Sequence, residues 1–334
     1  MQTDRFQALV LNKGEDGNLV PEIRTIGLND LPEGDVVVEV RYSSINYKDA
    51  MAIGNRGIIR KFPAVPGIDF AGTVLQSESP QYQPGDEVVL TGWGVGERHW
   101  GGYSQVARVK GEWLVPLPAG LNAKQAMQVG TAGLTAMLCV QAIEHQGVLP
   151  GSGPVLVTGA SGGVGSVAVA VLAGLGYEVW AMSRPGQDDY LRSLGAVKIV
   201  GRDEFTREAK PGRPVLEAET FAGGIDTVGG ATLAALIARI AYRGAVAACG
   251  LVGGNEVDTT VYPFILRGVA LLGVDSVRCP TPVRTIAWQR IAKQLPLELF
   301  AGMSREVGLA GVPAIAAEML AGQGHGRVVV NLQA

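Results

Sequence analysis

The stretch Val155–Val169, "VLVTGASGGVGSVAV", constrains this chain more than any other. A short β-branched run meets a glycine-rich turn, and the turn opens directly into an apolar run of helical length. Glycines at such a junction let the backbone approach a pyrophosphate, while the first N–H groups of the helix and the positive end of its dipole face the ligand. A bare glycine pattern is weak, but a strand before it and a helix after it make it a dinucleotide loop. Ser161, Gly162, Gly163, Val164 and Gly165 are the candidate pyrophosphate contacts.

The strict Gly-x-Gly-x-x-Gly spacing is absent, because alignment on Gly162 and Gly165 puts Ala160 first. Counted as Gly159, Gly163 and Gly165, the glycines match the short-chain dehydrogenase pattern. That class also needs Tyr-x-x-x-Lys downstream, and no tyrosine here has a lysine four residues on. Cofactor choice is read at the end of the second strand, about 20 residues past the glycines, where an acid would hold a ribose 2′-hydroxyl. Ser183-Arg184-Pro185 stands there instead. A hydroxyl and a guanidinium suit a 2′-phosphate, so the expected cofactor is NADP(H). Arg202, after the third strand, is a further candidate on the adenosine side.

The loop sits midway along 334 residues, enough for two cores. Upstream, "FQALVLN", "DVVVEVRYSSIN", "AGTVLQS", "DEVVLTG" and "YSQVARVKGEWLVPLP" read as short strands separated by turns, which predicts a β-barrel or folded-over sheet. From Asn122, a candidate N-cap, an Ala-rich helix leads into alternating strands and helices, the pattern of a doubly wound parallel sheet. The tail after Val274 reads as two helical segments and a strand, "RVVVNL", expected to rejoin the N-terminal domain.

A net charge of −3 argues against a nucleic-acid partner, and no apolar run reaches the ~18–20 residues of a membrane span. Three scattered cysteines exclude a disulfide framework and a four-cysteine zinc site. The N-terminus lacks a signal-peptide layout, so a cytoplasmic protein is expected.

"FPAVPGIDFAG" holds a lone carboxylate, Asp69, in an apolar run, where an unpaired charge costs several kcal/mol (~3 or more). Together with "SSINYKDAMAI", "LTGWGVGERHWGGYSQ", "TGASGGVGS" and "PFILRGVALLGVDS", this stretch resembles the zinc-free YhdH/YhfP-type quinone oxidoreductases of the medium-chain dehydrogenase/reductase superfamily, over Phe6 to Leu332. The resemblance implies an α/β fold: a GroES-like β-barrel catalytic domain (1–125 and 275–334) plus a Rossmann doubly wound parallel-sheet domain (126–274). It also implies a homodimer. Zinc-dependent members carry Gly-His-Glu where this chain has Gly67-Ile68-Asp69, and Cys-His where it has Asn46-Tyr47. Only His99, His145 and His325 remain, with no His/Cys cluster at ligand spacing, so no metal is expected.

The implied activity is hydride transfer from NADPH to an activated C=C, foremost acryloyl-CoA to propanoyl-CoA; a quinone or enone acceptor, or a non-catalytic NADPH-binding role, is the alternative. Asn46 is the candidate donor to the substrate carbonyl, and Tyr47 a candidate donor to an enolate oxygen, nicotinamide contact or proton relay. Asp49 and Asp69 join the candidate catalytic set, read as supports rather than direct participants. The strand end at Leu251 adds a cofactor contact; the resemblance implies that Ile265 and Ser276 lie near the nicotinamide, and Arg327, before the last strand, is a further cofactor candidate. Arg56, Arg60 and Lys61, just before "FPAVPG", read as a solvated basic loop, with contact to CoA phosphates the alternative.

Overall fold

The computed structural model describes residues 5–15, 17–205, 216–324 and 326–334; His325 lies outside them. Two compact units form: Met1–Thr131 with Ser276–Ala292 and Leu297–Ala334, and Ala132–Asp275 with Lys293–Pro296.

The first unit is built on strands. β1 (Phe6–Lys13) and β2 (Leu19–Ile26) pair as an antiparallel hairpin. β2 was not apparent in the sequence, because Pro21 interrupts it and most of its side chains face solvent. β3 (Val36–Ser44), β4 (Asp69–Ser77), β5 (Glu87–Thr91), β6 (Val106–Val109) and β7 (Leu114–Pro116) follow the expected segments. β3 pairs antiparallel with β4 along its length and with β6 along its first half. Register shifts at Val37/Val38 and Val40/Tyr42 bend β3 against β4. The apolar core beneath includes Val38, Val40, Phe70, Leu90 and Tyr103.

The helix Ala123–His145 starts in a reciprocal cap: Gln125 N–H donates to Asn122 Oδ1 at 2.9 Å and Asn122 N–H to Gln125 Oε1 at 3.0 Å. Its run is broken at Gly130, with φ 57° and ψ −159°. Among the described residues it is long and apolar enough to cross a membrane, with mean hydropathy 1.4, but 94% of that stretch is buried inside the fold. It is a core helix, and the chain passes from the first unit to the second within it.

In the second unit β8 (Val155–Val157), β9 (Val179–Ser183), β10 (Lys198–Gly201), β11 (Phe221–Asp226), β12 (Ile240–Ala248) and β13 (Ala270–Gly273) form one parallel sheet, ordered β10-β9-β8-β11-β12-β13. This is the Rossmann order, and the strand sequence reverses between β8 and β11. The helix Gly163–Gly174 links β8 to β9 and buries Val167 through Leu172.

The tail holds three α-helices, Thr281–Gln294, Leu297–Met303 and Val312–Leu320, where the sequence suggested two helical segments. It also holds β14 (Ser304–Gly308) and β15 (Arg327–Asn331). Leu297–Met303 and β14 are too short to carry a periodic signal. β15 pairs parallel with β14 and antiparallel with β3, so the last strand does join the first unit.

Candidate active site

In the first unit, β3 ends at Ser44, and the chain turns at Ile45 and Asn46 into the short helix Tyr47–Ile53. β4 begins at Asp69 beside it, with Phe70 in register with Ser43. Asp69 is fully buried and accepts from four groups: Ser44 N–H at 3.1 Å, Ser44 Oγ at 2.8 Å, Asn46 Nδ2 at 2.9 Å and Thr131 N–H at 2.8 Å. Arg327, at the start of β15 and also buried, donates to Ser44 Oγ at 2.9 Å, to Asn46 Oδ1 at 3.3 Å and to the Gln128 carbonyl at 3.0 Å. Ser44 Oγ therefore relays between a guanidinium and a carboxylate, which compensates the buried charge of Asp69.

This geometry reassigns two residues. Asn46, read from sequence as a donor to the substrate carbonyl, has its amide N–H groups committed to Asp69 and, at 3.2 Å, to Ser44 Oγ. Arg327, read as a cofactor contact, has its guanidinium turned onto protein acceptors. Both are parts of the frame.

Asp49 closes the other side. Its carboxylate accepts from Asn46 N–H at 2.9 Å, Gly67 N–H at 3.2 Å and Ile68 N–H at 2.9 Å, clamping the segment before β4 to the Tyr47–Ile53 helix. Burial, with the charge of Asp69 adding to it, pushes the Asp49 carboxyl up to about 7, against the pull of the backbone N–H groups. Tyr103 donates to the Ser44 carbonyl at 3.1 Å, and burial beside Asp49 and Asp69 holds its hydroxyl far above the usual tyrosine range. Tyr47 differs from all of these. It is 47% exposed, and its hydroxyl has no hydrogen-bond partner among the described residues.

Ser44, Tyr103, Gln128, Gly130 and Thr131 were not singled out in the sequence. Only Gly130, a glycine inside an Ala-rich helix, left a signal there. Among the described residues no three His, Cys, Asp or Glu side chains gather as a metal-ligand set.

In the second unit the glycine turn follows β8. Gly159 has φ +59°, and a β-carbon on Gly165 would collide with the Gly159 carbonyl, so both positions demand glycine. The N–H groups of Gly163, Val164 and Gly165 open the helix Gly163–Gly174 and have no acceptor within it, the donor set that a pyrophosphate fits. Ser161 lies in the same turn, and Ser183 Oγ donates to its Oγ at 3.0 Å. Ser183 ends β9 and is in register with Gly201 of β10, so Ser183-Arg184 and Arg202 occupy the same end of adjacent parallel strands. Leu251 and Ile265 are exposed, the first beyond the end of β12 and the second on the helix Tyr262–Arg267. Thr158 Oγ1 donates to Asp226 Oδ1 at 2.6 Å, tying the ends of β8 and β11 where the strand order reverses. Ser276 belongs to the first unit, where its carbonyl accepts from the buried Arg284 at 3.0 Å.

A Rossmann sheet with a phosphate-binding turn at its switch point, in a chain whose other unit is a folded, mostly antiparallel sheet, defines the class: a two-domain, nucleotide-dependent oxidoreductase. Residues 32–119 match the alcohol dehydrogenase GroES-like domain. The chain is 55% identical to acrylyl-CoA reductase AcuI of Ruegeria pomeroyi, over 98% of this chain and 100% of that protein. The YhdH oxidoreductase of Salmonella enterica, solved in complex with NADP, superposes with a TM-score of 0.94 at 53% identity, covering 97% of this chain and 99% of that one. YhfP of Bacillus subtilis, solved with NAD bound, gives 0.93 at 43% identity over 98% and 99%. The chain belongs to the medium-chain dehydrogenase/reductase superfamily and, within it, to the YhdH/YhfP group.

Proposed function

We propose that this chain is a zinc-independent, NADPH-dependent enoyl-thioester reductase that converts acryloyl-CoA to propanoyl-CoA. The observation that carries the substrate is the end-to-end 55% identity to acrylyl-CoA reductase AcuI. The site supports the chemistry. NADPH, when bound, supplies the hydride, which adds to the β-carbon; negative charge then develops on the thioester oxygen, and a proton adds to the α-carbon. Tyr47, the exposed hydroxyl above a buried and fully hydrogen-bonded frame, donates to that oxygen. Asn46, Asp69, Ser44 and Arg327 hold the turn from which Tyr47 projects, and Asp49 fixes the helix behind it.

The glycine turn and the N–H groups of Gly163, Val164 and Gly165 would hold the pyrophosphate. Ser183, Arg184 and Arg202 would take the 2′-phosphate side, and Leu251, Ile265 and Ser276 the nicotinamide side. A quinone acceptor is the second reading, favoured by 46% identity to the putative quinone oxidoreductase YhfP of Bacillus subtilis. The protein is expected to act in the cytoplasm, as a homodimer. In support of the dimer, β13 is an edge strand of its sheet among the described residues, and Leu271 on it is 40% exposed.

Steady-state oxidation of NADPH with acryloyl-CoA and with a panel of quinones tests the reading. Turnover of acryloyl-CoA well above that of any quinone is expected. Turnover of quinones with none of acryloyl-CoA would overturn it.

A further inference from the structure

A cavity of about 710 Å³ in the first unit is lined by Arg60, Lys61, Arg98 and Trp100, with Glu97 and His99 beside them. Its charge is out of keeping with a chain whose net charge is −3. Glu97 is already neutralised, its carboxylate 3.4 Å from Lys48 Nζ and 3.5 Å from Arg98 Nε. Arg60 and Lys61 are exposed and have no ion pair or side-chain hydrogen bond among the described residues. The Trp100 indole is held in place by donating to the Pro63 carbonyl at 3.2 Å, which leaves a fixed aromatic wall. Unpaired cations beside an aromatic face are the requirements of a phosphorylated nucleotide.

The cavity is tied to the site by two short paths. Pro63, Ala64 and Val65 line it, and the same segment continues into Gly67 and Ile68, bound by Asp49, and then Asp69. From Val65 to Asp69 the chain spans at most ~14 Å. By the second path, Lys48, which grips the cavity wall at Glu97, is the residue after Tyr47. A ligand with its charged end in the cavity and a flexible arm can therefore place a small acyl group at Tyr47. The chemistry asks for such a handle: a three-carbon acyl group offers little surface, so binding energy must come from the non-reacting part of the substrate.

We propose that this cavity anchors the 3′-phosphorylated ADP end of a CoA thioester, with Arg60, Lys61 and Arg98 on its phosphates and Trp100 against its adenine. The assignment rests on the enoyl-thioester reading above and names the part of the substrate that the reading left unplaced. Arg60, Lys61 and Arg98 are all exposed, so their removal leaves the core intact.

The test compares wild type with an R60A/K61A/R98A variant on acryloyl-CoA and on acryloyl-pantetheine, which lacks the nucleotide. The ratio of the two kcat/KM values is expected to fall about tenfold or more in the variant. A ratio within twofold of wild type would overturn the proposal. A second arm measures calorimetric binding of adenosine 3′,5′-bisphosphate at saturating NADP⁺. Binding to wild type that the variant loses supports the anchor even if acryloyl-CoA is not reduced, in which case only the functional reading fails. No binding to wild type overturns the anchor, whatever the enzyme reduces.

Discussion

Gly130 and Arg327 share one small space. A β-carbon on Gly130 would stand 2.5 Å from Arg327 Nη2, 2.7 Å from Ser44 Oγ and 3.1 Å from Asp69 Oδ2. The break in the helix at this glycine also aims the Thr131 N–H at Asp69. Helix, guanidinium and carboxylate thus pack to contact, with no room for one carbon more.

Gly130→Ala should destabilise the chain by about 3 kcal/mol, because φ +57° strains any other residue and the added methyl must push a buried ionic network apart. Guanidinium denaturation reads this as a lowered midpoint. An alanine variant as stable as wild type would mean that the network yields freely.

Asp49 gives the stability of the fold a pH dependence with a definite sign. Its carboxyl ordinarily titrates near 3.8 and in the folded chain near 7. Between those values the folded chain keeps a proton that the unfolded chain has released. Its contribution is therefore full below about pH 4, declines as pH rises and is gone above about 7. Wild type should lose about 2.5 kcal/mol between pH 5 and pH 8 through this group. Asp49→Asn, with nothing to titrate there, should lose less over the same interval. Equal slopes for the two proteins in urea titrations at both pH values would contradict the assignment.

The legible parts of this molecule were those with local signatures. The turn from Gly159 to Gly165 and the Ser183-Arg184 pair announce themselves through spacing alone, and the parallel strands through their alternation with helices. The buried frame was legible only in its endpoints. Asp69 stands out as a carboxylate in an apolar run, but its partners come from 44, 46 and 131, with 327 joined through Ser44, and no periodicity connects residues so far apart. Arg327 was read as a cofactor contact for the same reason: nothing local to it shows that the pairing of β15 with β3 brings its guanidinium onto Ser44 and Asn46. The helix Tyr47–Ile53 has seven residues, too few for an amphipathic pattern.

Tyr47→Phe keeps the ring and removes a hydroxyl donor that has no hydrogen-bond partner among the described residues. The kcat for acryloyl-CoA should fall about 10²–10³-fold, the usual loss for an oxyanion donor, while the NADPH dissociation constant changes by less than about threefold. Rapid-mixing single-turnover kinetics separates the two. A variant with unaltered kcat would move the donor role away from Tyr47.

Arg184→Ala should discriminate between the cofactors. Ser183 ends β9 beside Ser161 of the phosphate turn, Arg184 follows it and Arg202 follows the adjacent strand, so the 2′-phosphate would meet a hydroxyl and two guanidinium groups at the same end of the two strands. Loss of one charge-assisted contact of about 1.5–3 kcal/mol should raise KM for NADPH by about 10–100-fold. NADH, which has no 2′-phosphate, should be affected little. The ratio of kcat/KM for NADPH over NADH is the deciding quantity. An equal loss for both cofactors would show that Arg184 supports the loop rather than reads the phosphate.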